Sequence, residues 1–309
     1  SMNDYIADWD GIGDYYDATL SAGSIGDDLY GIATYADARV FAYNTELFTE
    51  VGIEEVPTNW EELYEAHAAL VKKDDAGNVI QTGLALSTSG TNINQYLQIF
   101  SIQNGLAGLV DAGTDEILFN TDEAIEAAEF LASLSDLGLI LWDSMSFDTN
   151  PFVAGTAAMA IINETEFNLA NEALGGVLEI APMFGNVETA TFSGSHMFHM
   201  SAQTAHPDAT WALIEYMTSA ESLEIWMDAT GAAPVRASLE EHYLELSPTY
   251  GEFFMEAVSV GHPASLVTYN SAMVTILDST MEEIFYGVSE PADALNAAAI
   301  EVQAEIDNQ

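Results

Sequence analysis

Hydrophobic positions recur along this chain in two rhythms, the three-and-four spacing of helices and the short runs or alternation of strands. In "PTNWEELYEAHAALVKK", Trp60, Leu63, Ala66 or His67 and Leu70 fall on one helical face. Pro57 and a capping Thr58 open that helix, and two lysines close it favourably for the helix dipole. "TDEAIEAAEFLASLSDLGLI" repeats the rhythm behind a Thr121 cap. "NINQYLQIFSIQNGLAGLV" reads as an apolar helix from Asn92 to Gln103, stopped at Asn104-Gly105. "HPDATWALIEYMTSAESLEIWMDATG" reads as one helix, a break at Ser219 and a second helix. "APVRASL" is an extended connector, and the remainder of the chain is helical in three pieces. Trp60, Trp211 and Trp226 sit on helix faces and are expected in the core, whereas Trp9 and Trp142 are left open.

The strand rhythm is clearest in "YGIATYADARVFAYN", with Gly31 near its start, Ile32, Tyr35, Val40, Phe41 and Tyr43 along it, and a polar middle. It runs into a short helix, "NTELFTEVGI", which Asn44 or Thr45 can cap and Gly52 can end in the left-handed conformation. "QTGLALS", "VLEIAPMF" and "TFSGSHMFHMS" read as strands. "SFDTNPFVAGTAAMAIINETEF" reads as a short helix, a turn at Gly155 and a buried strand from Ala157 to Ile162. The opening "DYIADWDGIGDYYDATLSAGS" suggests short helical turns on a surface. Isolated strands separated by helices imply an α/β fold, with sheets covered by helices.

Composition changes this picture in two ways. A chain of 309 residues with 49% hydrophobic residues exceeds the comfortable size of one core, so two lobes are expected. Four basic residues stand against fifty acidic ones, for a net charge of −46, although charged residues make up only 17%. The acids are spread through amphipathic segments, which argues against a disordered acidic tail and for a surface adapted to saline surroundings. Such a surface repels nucleic acid and anionic membranes. The absence of cysteine excludes disulfides, thiolate metal sites and cysteine nucleophiles. No run is long and apolar enough to span a membrane, and no signal peptide reads in the chain.

Several segments, taken in order, resemble the extracellular solute-binding proteins of ABC importers, of the sugar-binding, maltose-binding-protein-like type. "LYGIATYADARVFAYNTELFTEVGIEEVPTNWEEL" looks like the family's first hinge strand, helix, Pro-Thr-x-Trp-x-Glu-Leu cap and helix. "FVAGTAAMAI" looks like its Phe-x-x-Gly-x-Ala-Ala-Met strand entry, and "SAQTAHPDATWALIEYMTSAES" like its post-hinge helix. "GAAPVRASL" looks like its Gly-x-x-Pro-Val-Arg connector, and "GVSEPADALNAAAIEVQAEI" like its C-terminal helix. The resemblance implies a two-lobe periplasmic-binding-protein-like fold of type II, with lobes joined by hinge crossings and a ligand in the cleft that closes on it. It places residues 1–39 and 198–240 in lobe one, and 40–197 and 241–309 in lobe two, with crossings near Arg39-Val40, near Met197-Phe198 and after Leu239. It also implies a first βαβ portion that this chain lacks, so lobe one is expected to be incomplete.

Candidate ligand residues follow from the resemblance and from side-chain chemistry. Tyr35 can stack on a sugar face, and Asp37 and Arg39 suit polyol recognition because charged partners strengthen hydrogen bonds. An Asp–Arg hinge ion pair is the equal alternative for Arg39. Asn92, Asn94, Gln95 and Tyr96 lie where the family's helix start faces the cleft, with helix capping the alternative for one asparagine. Asn163, Glu164 and Glu166 emerge after a buried strand. Gly194, Ser195 and His196 lie at the second crossing, where Gly194 allows close approach of a ligand. Tyr269 and Arg236 complete the set, Arg236 being weighed against a lobe-bridging ion pair. His196 and His199 are three apart on a strand and point oppositely, so no metal pair is expected, and no cofactor. The family's Gly-x-Trp is missing after "INETEF", and Val274 stands where the type carries a stacking tryptophan, which points away from long maltodextrins.

The expected function is an extracytoplasmic receptor for a small sugar or oligosaccharide. It would work as a monomer, in the periplasm or outside the cell, free or lipid-anchored, and deliver its ligand to permease subunits. A polyol or a cationic solute such as a polyamine is the alternative ligand. A secreted carbohydrate-active enzyme is the alternative activity, since Glu164 and Glu166 could imitate a glycosidase pair. No nucleophile elbow, zinc-protease helix or phosphate loop supports an enzyme.

Overall fold

A computed structural model describes residues 1–87, 93–142 and 150–308, the side chains of Ser87 and Trp142 excepted. Asn92 and most of the short helix expected before Phe152 lie outside the described residues. The chain forms two compact units: residues 1–39 with 193–266, and residues 40–192 with 267–309. It passes from one unit to the other between Arg39 and Val40, between Phe192 and Ser193, and between Leu266 and Val267. Residues 193–197 and 241–266, expected from sequence in the second lobe, fall in the first unit. The reason is local: the helix Gly251–Ser259 packs on the strand Gly31–Ala38, and the short strand Gly261–His262 extends the same sheet.

The first unit is built on a three-stranded sheet, in the order Gly261–His262, Thr191–His199, Gly31–Ala38. Thr191–His199 runs antiparallel to Gly31–Ala38 and sets Gly194 opposite Asp37, Ser195 opposite Ala36 and His196 opposite Tyr35. The register slips after His196, so that Met197 faces Ala33, and the hydroxyl of the skipped Thr34 donates to the His196 carbonyl at 2.9 Å. Such a bulge twists the strand locally and re-aims the neighbouring side chains. Ala233, in the connector after the helix Ala220–Thr230, bridges to Ala36 on the free edge. The N-terminal turns are less superficial than their sequence suggests, since Met2 and Tyr15 are buried and the Tyr15 hydroxyl donates to the Ala33 carbonyl.

The second unit has a six-stranded mixed sheet. Leu178–Ala181, Val40–Asn44, Ala157–Ile162, Val79–Ser87 and Lys72–Lys73 lie side by side, and Ile140–Trp142 runs parallel to the far end of Val79–Ser87. Every residue of Ala157–Ile162 is buried, as expected of a central strand with both faces covered. The helices Asn270–Phe285 and Pro291–Asp307 pack on Asp122–Leu137, which draws the C-terminal segment into this unit. Asn44 caps the helix Thr45–Val51 through bonds from the Glu46 and Leu47 amides, and Gly52 ends it at φ 76°. Ser219 caps the helix Ala220–Thr230 through the Ser222 amide.

Two local expectations are corrected. Asn59, not Thr58, caps the helix Trp60–Leu70, because the Thr58 amide and hydroxyl are both taken by the Glu62 carboxylate. The lysines do not end that helix; Lys72 and Lys73 pair with Gln81 and Val79 in a sheet, where strand hydrogen bonds replace helical ones. His67 and Ala66 are both buried on the helix's inner face. The His67 imidazole accepts from the Leu84 amide at Nδ1 (2.9 Å), and its Nε2 lies 3.0 Å from the Leu134 carbonyl. A buried polar ring thus ties the helix to the strand Val79–Ser87 and to the helix Asp122–Leu137. Gly83 makes this possible, since a Cβ there would lie 2.5 Å from the His67 Cα and 2.6 Å from its carbonyl oxygen.

Candidate functional site

In the first unit the antiparallel register gathers six of the sequence-selected residues at one end of the sheet. Tyr35 and Asp37 alternate with Ala36 and so share one strand face. Arg39 follows where the strand breaks, and its Nη1 lies 3.5 Å from Asp37 Oδ1, both side chains being largely covered. The ion pair is therefore real and lies within the first unit. It presents a carboxylate and a guanidinium side by side, a pairing that can accept from one hydroxyl and donate to the next. Across the strand, Gly194 lies opposite Asp37 and offers no side chain, so the main chain there can be approached closely. Burial, and then the Asp37 charge, push the Tyr35 hydroxyl above its ordinary pKa, so it stays a neutral donor.

The rings at this end are stacked. The Tyr35 and His196 rings lie 4.4 Å apart at 16°, and the Trp226 ring lies 6.2 Å from Tyr35 at 22°. Trp226 is not in the core as its helical position suggested; it is 48% exposed. The reason lies in the helix Ala220–Thr230, which buries Leu223 and Met227, one helical turn apart. With that stripe filled, Ile225 and Trp226 are turned outward. The surplus of apolar residues in "SLEIWM" was the available signal, because a single stripe cannot hold all of them. Trp60 and Trp211 are buried as expected.

Arg236 does not join this group. It is 4% exposed, with its guanidinium 4.6 Å from the Tyr15 ring centroid and 5.2 Å from that of Trp9. Its Nη1 donates to Asp14 Oδ2 at 3.3 Å. Burial pushes the Asp14 carboxyl up, but bonds from the Ser238 amide and hydroxyl and from Arg236 outweigh this and hold it below its ordinary value. The ion pair joins the N-terminal turns to the connector inside the first unit, and does not bridge the units. Trp9, left open by sequence, belongs to this cluster and meets Trp211 edge-on at 5.5 Å.

In the second unit the selected residues are held by partners of their own. Asn94, Gln95 and Tyr96 are buried in the helix Ile93–Gln103. The Asn94 backbone amide and side-chain amide both donate to Asp278 Oδ1, at 2.9 and 2.8 Å. Burial raises the Asp278 pKa, only partly offset by these bonds. Asp278 thus acts as a long-range cap for the helix start, a role with no local signature in the sequence. Asn163 and Glu166 do emerge after the buried strand, but they form a capping box. Glu166 accepts from the Asn163 amide, and Asn163 from the Glu166 amide. Glu164 sits half-buried in the same first turn. Tyr269 is buried, and its hydroxyl donates to Asp115 at 3.1 Å; burial and then that carboxylate raise its pKa to about 12.

Among the described residues no cluster of three or more His, Asp or Glu side chains is arranged to hold a metal, and no helix is long and apolar enough to cross a membrane. Comparison with known proteins gives a consistent result. A binding protein of Brucella abortus (strain 2308) is 25% identical over 306 residues, which span 94% of this chain and 71% of the relative. The galactooligosaccharide-binding protein of Bacillus subtilis (strain 168) is 20% identical over 306 residues, or 94% of this chain and 69% of that protein. The crystal structure of the cyclic α-maltosyl-1,6-maltose binding protein from Arthrobacter globiformis superposes with a TM-score of 0.81 at 22% identity, covering 100% of this chain and 80% of that one. These likenesses establish the two-lobe periplasmic-binding-protein-like architecture of α/β type. The profile of the bacterial extracellular solute-binding proteins, a family of binding proteins and not of enzymes, matches residues 2–250, and this chain belongs to that family.

Proposed function

We propose that this chain is the receptor of an ABC importer, binding a carbohydrate outside the cytoplasmic membrane and delivering it to the permease subunits. The observation that carries the reading is the row Tyr35, Asp37 and Arg39, set in register against Gly194, Ser195 and His196 at the end of the first unit's sheet. Sugars need this mixture: an ion pair that accepts from and donates to hydroxyls, a tyrosine hydroxyl that donates, and a stretch of main chain that carries no side chain. Several similar solved proteins carry sugars, among them one bound to α-D-tagatose and one bound to mannotriose, which supports the same class of solute. The receptor acts as a monomer, in the periplasm or held at the cell surface by a lipid anchor.

Asn94, Asn163, Glu166, Tyr269 and Arg236 serve the framework in this reading, since each is engaged by the partner described above. Asp37 and Tyr35 are the primary ligand contacts, with Arg39 orienting the Asp37 carboxylate.

A thermal-shift screen of sugars, polyols and polyamines in high salt tests the proposal. A solute at a hundred times its Kd adds about 2.7 kcal/mol, or about 4 °C in a chain of this length. Stabilisation without chemical change of the solute, lost in Asp37→Ala, is the expected result. Release of cleaved products would replace the receptor by an enzyme, and an unchanged hit with Asp37→Ala would remove the site.

A further inference from the structure

We infer that Trp226 is a ligand-stacking side chain of the Tyr35 site, and that it selects solutes built from pyranose rings over linear polyols and polyamines. The inference rests on the receptor reading above and adds to it a residue and a substrate class.

Three observations carry it. The helix Ala220–Thr230 buries Leu223 and Met227, whereas Trp226 stays about half exposed. The Trp226 ring is close to parallel with Tyr35, which in turn lies against His196, so that the three rings form a stack in the first unit with the flat indole of Trp226 at one end. Asp37, two residues from Tyr35 on the same strand face, places a charged acceptor beside Tyr35. A flat apolar surface next to a hydroxyl acceptor matches a pyranose, whose ring presents C–H bonds on its faces and hydroxyls around its edge.

Rigidity makes the selection. A pyranose meets the indole with its shape already fixed, whereas a linear polyol or a polyamine loses several bond rotations on being laid flat. Covering about 100 Å² of indole is worth about fiftyfold in affinity before such costs. The competing explanation is that Trp226 only shields Tyr35. That role acts through Tyr35 on every solute alike and on folding, whereas stacking favours ring solutes and leaves folding alone, so the two are separable.

Isothermal titration calorimetry in high salt with maltotriose, mannotriose, galactotriose, sorbitol and spermidine provides the test, on the wild type and on Trp226→Ala, Trp226→Phe and Asp37→Ala. The expected result is that at least one trisaccharide binds, that Trp226→Ala weakens it by about tenfold or more, and that Trp226→Phe keeps it within about threefold. Melting temperatures measured alongside should barely move, which separates ligand stacking from packing. If Trp226→Ala binds the trisaccharide as the wild type does while Asp37→Ala loses it, the inference is wrong and the receptor reading stands. Spermidine or sorbitol binding in preference to every trisaccharide overturns the ring selection. No trisaccharide binding at all removes the carbohydrate reading and the inference with it.

Discussion

His67 gives the sharpest quantitative test of the second unit. Its imidazole is fully buried and accepts a hydrogen bond at Nδ1 from the Leu84 amide, while Nε2 faces the Leu134 carbonyl. Only the neutral ring with its proton on Nε2 satisfies both. Burial is the main cause that lowers its pKa from 6.5 to about 4, against a smaller opposing effect of the Leu134 carbonyl. The folded-state value therefore lies below the unfolded one. Between these two values unfolding takes up a proton, so the stabilisation is fully present above about pH 6.5 and is lost as the pH falls through about 4. For one such group linkage predicts a loss of about 2 kcal/mol between pH 7 and pH 5, approaching about 3 kcal/mol below pH 4. The many carboxylates complicate the raw curve, because protonating them relieves self-repulsion. Urea unfolding of the wild type and of His67→Gln, at matched high salt and at several pH values, isolates the term: packing differences shift both curves by a constant, and the His67 contribution appears only in their relative slope. NMR of the imidazole nitrogens gives the tautomer and pKa directly. A His67 ring that titrates near 6.5, or wild-type and variant curves that stay parallel from pH 7 to pH 5, would refute the reasoning.

Other consequences follow from the same physical terms. Asp278→Leu strips the Asn94 amides of their shared acceptor and should cost about 1–3 kcal/mol in urea unfolding, whereas Asp278→Asn keeps an acceptor and should cost less. Arg236→Ala should lose about 1–3 kcal/mol by removing the cation over the Trp9 and Tyr15 rings and one of the donors to Asp14, which keeps its bonds from Ser238, with partial recovery in Arg236→Lys, and any sugar bound by the folded variant should keep its affinity. A loss of affinity without loss of stability would return Arg236 to the ligand site. Raising sodium chloride from about 0.1 to 1 M shortens the Debye length from about 10 to 3 Å, and for a chain of charge −46 the melting temperature should rise steeply; a flat response would remove the saline adaptation.

Much of the fold could be read because it is written in local terms. The alternation in "YGIATYADARVFAYN" and the apolar run Ala157–Ile162 became strands, and the three-and-four spacing from Trp60 to Leu70 became a buried helix face. A cap was legible at Asn44, where the right side chain had no competitor, and the break read at Ser219 proves to be a cap as well. A cap was misread where a competitor did exist: Thr58 is a good cap by type, but Glu62, four residues on, binds it first.

The candidate site divides along the same line. Tyr35, Asp37 and Gly194 were selected from the resemblance and from side-chain chemistry, and the strand register then set them opposite or beside one another. Asn163 and Glu166 were placed correctly after their strand, yet their local spacing favours a capping box. Residue types and periodicity determined the strands, the helices and the polar stretch at Arg39, because backbone preference and amphipathic pattern act within a few residues. Only the tertiary structure decided that Arg39 pairs with Asp37, that Arg236 is buried over the rings of Trp9 and Tyr15, that Asp278 caps a helix far away in sequence, and that Trp226 faces water beside Tyr35. Apart from the Asp37–Arg39 pair, whose members are two residues apart, those outcomes depend on which buried face fills first and which group finds a partner far away in sequence, and local pattern encodes that competition only in part.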